Sequence, residues 1–493
     1  MQKSAETLFN RMNREVRYVN FKSSQHIKEG LDGTTDLDIL IHQDDYEKMK
    51  QILLDLHFLY MASSKEQTYN NVEQWFGMDE VSGKLLQLHL HYALITGKTY
   101  VKEYHLKWEG IAFCTSGFFY KNEVNVRTVC PEFEIILLLT RVVCKASLSQ
   151  KMKYAWNVDK YISADFKREY LFLRKRIKKE EFIKNCKSCY PAVNEEQAKK
   201  IYDIIVATEK LNEVYEFFRR QTKAQFKIKL LPELYHGLVS LYFKISRCSR
   251  KCLKKPLAFS IVTGKVLPYQ GKIISIIGCD GTGKSTISKA VEEWLSWKFE
   301  AKRVYFGSGN GYFSIYKSIK RLLLSKTGDN KIRKEKLSKI KRSNFIVRKL
   351  EELQYYKISV KNKRLINKIQ RYVRKGAIVI TDRYPQMQFE GIYDGPKIKN
   401  KNSLLGKLEY SNFMEMQAMH PDLLIKLLLT YDEIVQRRPE DNREELKKKI
   451  YITENLAFKD AREIVIDASL PLEQELIIIK RYIWEELQLF KEK

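Results

Sequence analysis

The residues Gly278-Cys279-Asp280-Gly281-Thr282-Gly283-Lys284-Ser285 carry the clearest chemistry in the chain. They fit the pattern Gly-x-x-x-x-Gly-Lys-Ser/Thr, with a short apolar run before them and a helical pattern after them. Glycines at 278, 281 and 283 let backbone N–H groups turn inward around phosphate oxygens, and the helix opening near Lys284 adds the positive end of its dipole. Lys284 is expected to reach the β- and γ-phosphates of a nucleotide, and Ser285 to hold its Mg²⁺. Thr282 and Thr286, inside the loop and just after it, are assigned to the nucleotide as well. A second acid is required near the metal. "AIVITDRY" delivers Asp382 to the C-terminal edge of a strand, where ligands bind in open α/β sheets. Arg383 follows at once, placed to neutralise an anionic group on an acceptor.

A second constellation lies near the start of the chain. In "FKSSQHIKEGLDGTTDLDILIH" strand alternation places Asp36 and Asp38 on one face, as metal-held nucleotidyl transfer needs. Ser23 and Ser24 form a small polar turn about a dozen residues earlier. This pattern resembles the nucleotidyltransferase superfamily, and the likeness extends to "LLQLHLHYALITG". The resemblance implies a third carboxylate on that neighbouring strand, where this chain has Gln87, His89 and His91. A histidine can also bind a divalent metal. An active nucleotidyltransferase and a binding or scaffolding module both remain open at this point.

Three regions must position these groups. Residues 1–105 mix short strands and helices into an α+β, nucleotidyltransferase-like domain, and residues 106–250 are mostly helical. "PEFEIILLLTRVVCK" and "NEEQAKKIYDIIVATEKLNEVYEFFRR" are the clearest helices there. Residues 251–270 form a basic connector. Residues 271–493 alternate strand and helix, which implies a parallel sheet covered on both faces, an α/β P-loop domain.

The order of motifs in that last region resembles thymidylate kinase. The resemblance is carried by Asp-Gly-x-Gly-Lys-Ser-Thr after a strand, Asp-Arg-Tyr, "HPDLLIKLLL", a basic turn and "IVIDASLPLEQEL". It implies a nucleoside monophosphate kinase-like fold and phosphoryl transfer from ATP with Mg²⁺, dTMP being the acceptor the family names. It also implies that Asp280 contacts the acceptor's sugar, and that Asp382 and Arg383 handle metal and acceptor phosphate. Arg437, Arg438 and Arg443 would belong to a mobile lid that brings arginines to the donor. Two stretches depart from the family. "YFGSGNGYF" stands where an Arg-Glu-Pro-Gly stretch is usual, and "PQMQFEGIYDGPKI" stands where a helix that helps hold thymine is usual. The Tyr-Asp-Gly-Pro sequence ending at Pro396 is similar to a divergent branch found among surface-polysaccharide genes. A sugar or glycan precursor is therefore the rival acceptor, and a bifunctional kinase and nucleotidyltransferase is an alternative function.

Composition narrows the partners. The chain carries 89 Lys and Arg against 60 Asp and Glu, a net charge of +29. Residues 317–375 hold 21 Lys or Arg against Asp329, Glu335, Glu351 and Glu352, with Ile340, Phe345, Val347, Leu350 and Leu353 at helical intervals. Such a basic helix suits a solvated face, anionic substrates or an anionic membrane surface. A nucleotide-gated binding module docking through this segment is the third reading, with nucleic acid the less expected partner. Eight cysteines in 493 residues are too few for a disulfide scaffold. No stretch approaches the ~18 apolar residues of a membrane span, and "MQKSAETLFNRMNREV" has no apolar run behind its early lysine. A cytoplasmic protein is the expectation.

Overall fold

In the computed structural model, which describes residues 2–64, 67–121, 124–207, 210–254, 259, 261–306, 345–391 and 394–489, the chain forms two units, Met1–Leu253 and Lys254–Lys493. The first contains β1 (Tyr18–Asn20), β2 (Asp36–Ile41), β3 (Leu59–Tyr60), β4 (Val72–Met78), β5 (Leu85–His91), β6 (Ile95–Thr96), β7 (Tyr104–His105), β8 (Ser116–Lys121) and β9 (Val124–Val129). Seven of these make one mixed sheet in the order β3-β4-β5-β2-β1-β9-β8. β2 and β5 are parallel, with Asp36 opposite Gln87, Asp38 opposite His89 and Leu40 opposite His91.

Side chains alternate across a strand, so this register sorts the two faces. Leu37, Ile39 and Ile41 join Leu86, Leu88 and Leu90 in a core with Leu8, Phe9 and Met12 of the first helix. Asp36, Asp38, Gln87, His89 and His91 therefore share the opposite face. β8 and β9 lie beyond residue 105, and Val19, Phe21 and Leu40 pack into the same core as Phe133 and Leu137 of the helix Pro131–Lys145 and as Tyr190, just past a later helix. The division at residues 105 and 106 thus runs through one folded unit, because the sheet is completed by chain from the helical region. The helix Pro131–Lys145 matches its sequence pattern from end to end. The pattern over residues 194–220 is divided between the helices Glu195–Ala207 and Asn212–Gln225.

The second unit has β10 (Ile273–Gly278), β11 (Ala301–Tyr305), β12 (Ile378–Asp382), β13 (Leu423–Leu428) and β14 (Arg462–Asp467). They form a parallel sheet in the order β11-β12-β10-β13-β14. Every residue of β10 and β12 is buried, as expected of central strands covered on both faces. The chain leaves β10 toward one side of the sheet and returns later to β13 on the other. The C-terminal end of β10 is therefore a topological switch point.

Of the basic segment, residues 317–344 lie outside the described residues, and Phe345–Val373 is one helix. Its core-facing side is made by Asn362, Ile366, Ile369 and Val373, spaced three and four apart, whereas Leu353 is exposed. The described part of the basic segment is thus helical, and its buried positions lie beyond Leu353. The end of the 251–270 connector is fastened to the second unit: Thr263 and Gly264 N–H donate to the buried Glu300 carboxylate, and Leu267 N–H donates to Gly376 O. Among the described residues no helix is long and apolar enough to cross a membrane.

One tether fixes the Ser23–Ser24 turn. Ser23 is left-handed (φ 57°), and Ser24 N–H donates to the buried Glu134 carboxylate at 2.8 Å. Burial pushes that carboxyl up to about 7, although the hydrogen bond from Ser24 opposes the shift. A carboxyl raised in the folded state contributes stability at low pH that is lost as pH climbs from its unfolded value through its folded one. Glu134→Gln keeps an acceptor for Ser24 without this titration. It is expected to reduce the loss of stability between pH 5 and 8 by up to about 2–3 kcal/mol, measured as the pH dependence of urea unfolding against wild type.

Candidate functional site

The loop after β10 is shaped by what its glycines avoid. A Cβ on Gly278 would stand 2.6 Å from Thr282 Oγ1 and 2.9 Å from Leu427 O. Gly281 and Gly283 have φ of +94° and +82°, a region that disfavours side chains. Cys279 O accepts three hydrogen bonds, from Thr282 N–H at 3.3 Å, Thr282 Oγ1 at 2.9 Å and Lys284 Nζ at 2.5 Å. The Cys279 thiol itself is buried, 3.9 Å from Thr453 Oγ1. Lys284 is 7% exposed, so its ammonium lies folded across the loop, where burial lowers its proton affinity against the pull of Asp280. The helix Lys284–Ser296 starts here, and Thr286 is exposed in its first turn.

Parallel pairing of β10 with β12 sets Ile276 opposite Asp382 and brings the two strand ends together. Ser285 Oγ donates to Asp382 Oδ2 at 3.0 Å. Asp382 is buried, and its Oδ1 has no hydrogen-bond partner among the described residues. A hydroxyl and a carboxylate oxygen side by side at the helix start are the donor set that a hard, oxygen-seeking cation takes, so Ser285 and Asp382 fit Mg²⁺.

Asp280 is the electrostatic centre of the mouth. Its Oδ1 lies 3.6 Å from Lys284 Nζ and 3.4 Å from Arg383, and its Oδ2 is 3.1 Å from Lys449 Nζ. Burial would raise its proton affinity, but these three cations prevail and hold the carboxyl below the usual range. Arg383 is left-handed (φ 69°), its N–H donates to Ile276 O, and its guanidinium stands over the Tyr305 ring. Of the arginines expected in a lid, Arg437 bridges Gly281 O and Ala468 O, each at 3.2 Å. Arg438 packs its Cγ against the Gly281 backbone and pairs with Glu440. Arg443 is exposed at the start of its helix, and among the described residues no hydrogen bond or ion pair joins it to the loop. Lys449 and Tyr305 carried no sequence signal. Lys449 lies 169 residues from Asp280, and only the folded chain brings them together.

In the first unit, Asp36, Asp38 and His89 each offer a ligand atom within 4.8 Å of the others. His89 Nδ1 is 2.9 Å from Asp36 Oδ2 and 3.4 Å from Asp38 Oδ1. His91 Nε2 is 3.3 Å from Asp38 Oδ1, and Lys22 Nζ is 2.7 Å from the same oxygen. Burial drives His91 down to about 4. Asp38 is held well below the usual range, against burial, chiefly by the Lys22 charge. Lys102 is pushed down to about 8 by burial and by Lys22 and Arg141, and Lys145 is lowered first by Arg141. Two carboxylates and an imidazole in one cluster fit a divalent cation, with several cations grouped beside it.

No protein-family model matches this chain. It is 27% identical over 219 residues to the uncharacterized ATP-binding protein YghR of Escherichia coli K12, covering 42% of this chain and 85% of that protein. The uncharacterized ATP-binding protein YghS of the same strain is 25% identical over 212 residues, covering 42% of this chain and 89% of its own length. Among solved structures, a thymidylate kinase from Candida albicans aligns at 18% identity and a TM-score of 0.27, over 45% of this chain and 96% of that one.

The Gly278 contacts generate a direct test. Gly278→Ala forces Thr282 or Leu427 to move, an overpacking that costs about 1–3 kcal/mol. It is expected to weaken binding of a fluorescent ATP analogue by at least about tenfold, while the circular dichroism spectrum stays that of a folded chain.

Proposed function

We propose that the second unit is an ATP- and Mg²⁺-dependent phosphotransferase acting on a small acceptor. One observation carries this: Ser285 and Asp382 meet at 3.0 Å with a buried Asp382 oxygen left unpartnered, at the mouth of the loop that holds Lys284. The names of the two E. coli relatives support ATP as the nucleotide. Ser285 and Asp382 would hold Mg²⁺, which when bound neutralises phosphate charge. The loop N–H groups and the start of the helix Lys284–Ser296 orient the phosphates. Lys284 exchanges the Cys279 carbonyl for the β- and γ-phosphates and stabilises charge as it develops there. Arg437 and Arg438, already against Gly281, cover the donor side.

dTMP is the acceptor that the thymidylate kinase resemblance names. Buried polar groups of thymine need partners, each costing ~1–3 kcal/mol if left unmade. The stretches that would supply them are replaced by "YFGSGNGYF" and "PQMQFEGIYDGPKI". A sugar or glycan precursor is the acceptor better matched to this chain.

A second reading, nucleotidyl transfer by the first unit, is supported by the Asp36, Asp38 and His89 cluster and by the cations Lys22, Lys102, Arg141 and Lys145 near it. Calorimetry with Mn²⁺ and the full-length Asp382→Asn chain, in which the Ser285 and Asp382 site is disabled, tests it. Changing His89 to Ala is expected to weaken the remaining Mn²⁺ site by more than about tenfold; an unchanged isotherm would remove this reading.

Two outcomes are expected for the kinase. Lys284→Ala loses ADP production by about 10²-fold or more with its thermal transition unchanged, and wild-type turnover by the folded variant would refute the assignment of the loop. In a coupled assay with saturating dTMP, the specificity constant is expected to fall below ~10⁴ M⁻¹s⁻¹.

A further inference from the structure

Asp394 has no part in the roles described so far, yet the fold holds it firmly beside them. Its backbone is left-handed, φ 60°, a region that costs a non-glycine residue energy. Its side chain is 7% exposed, and Oδ2 has no hydrogen-bond partner among the described residues. An unpartnered buried carboxylate oxygen is expensive, and such atoms are rare away from working sites. The following chain is fastened: the buried Glu409 carboxylate accepts from Lys397 N–H at 3.2 Å and Ile398 N–H at 2.9 Å, and Gly391 N–H donates to Pro396 O at 2.8 Å. Asp394 is therefore held in place by its surroundings while its own oxygen is left unused.

The charged groups acting on Asp394 are Arg383, Lys397, Lys361 and Asp382. The phenol of Tyr305, half exposed at the end of β11, responds to Arg383, Asp394, Asp382 and Asp280 together. Arg383 ties them to the loop after β10, since its guanidinium stands over the Tyr305 ring and 3.4 Å from Asp280. Arg383 Nη2 is paired with Asp280 at 3.4 Å, while its Nε has no hydrogen-bond partner among the described residues. A phosphate dianion has no proton to give to Asp394 Oδ2. A neutral hydroxyl can donate to the waiting Oδ2.

We propose that Asp394 receives the proton of an acceptor hydroxyl, so that the acceptor offers an alcohol carbon–OH, as in a sugar or polyol, and not a phosphate oxygen, to the γ-phosphoryl group. This rests on the phosphotransfer reading above. The acceptor oxygen bonds to the γ-phosphorus, and the bond from that phosphorus to the β,γ-bridging oxygen breaks. Its electron pair leaves on ADP, and the hydroxyl proton passes to Asp394 and then to water. Burial raises the proton affinity of Asp394 above the usual carboxylate range against the pull of Arg383 and Lys397, which suits a group that must take up a proton. Tyr305 would offer its face to the carbon skeleton of the acceptor.

The test uses the full chain with ATP and Mg²⁺. Glycerol, ribitol, glucose, glycerol 3-phosphate, glucose 6-phosphate and dTMP are supplied as acceptors, and the products are assigned by phosphorus NMR. The expected product is a phosphomonoester on carbon. Asp394→Asn should lower kcat with that acceptor by about 10²-fold or more while the KM for ATP stays within about twofold of wild type. Asp394→Glu should recover part of the rate, which a purely structural role would not predict. A product with a new phosphate–phosphate anhydride overturns the inference and leaves the phosphotransfer reading intact. So does full activity of Asp394→Asn. No ADP from any acceptor, beside ATP binding that depends on Lys284, overturns both. The wild-type product decides the acceptor class even if a variant does not fold.

Discussion

The second unit depends on one adjacency, the parallel pairing of β10 with β12. Only because Asp382 ends the strand beside β10 does its carboxylate reach the hydroxyl of Ser285. The strand order makes this possible, since the chain crosses away from β10 before it returns on the other side. Everything attached to the loop inherits its position from that pair of strand ends. Arg383 is aimed by the same edge, through its N–H on Ile276 O. The helix Tyr431–Arg437 reaches the loop from the other side through Arg437.

The first unit solves a related problem with a simpler device. A two-residue period separates the leucines and isoleucines of β2 and β5 from their aspartates and histidines. The apolar set holds the sheet to one layer of helices, and the polar set is delivered as a group to the other face. The cost is several like charges in close company, visible in the lowered proton affinities of Lys102 and Lys145. Lys22 offsets part of it by pairing with Asp38.

The parts of both sites that were legible in the sequence are those written in contiguous residues. The spacing of Gly278, Gly281, Gly283, Lys284 and Ser285 specifies the loop because its geometry is local. The alternation of Asp36 and Asp38 specifies their shared face for the same reason. Asp382 could be placed because a buried strand must end where its apolar run ends. Lys449 could not, since its partnership with Asp280 comes from the packing of a helix far along the chain. Nor could the tether from Glu134 to Ser24, 110 residues apart, or the use of β8 and β9 to complete the first sheet. The basic helix was recognisable from its period over its described part, but which residues it buries was not, because a polar residue, Asn362, joins Ile366 and Ile369 on the inner side.

The burial of Cys279 gives the phosphate loop a chemical clock. Its carbonyl faces the ligand space while its sulfur lies sealed beneath, against Thr453. A thiol reagent cannot reach that sulfur until the loop lifts, so the rate at which Cys279 is alkylated measures how often the loop opens. Anything seated on the loop slows that clock, so under the proposed function the chain would report occupancy of the loop without an added label.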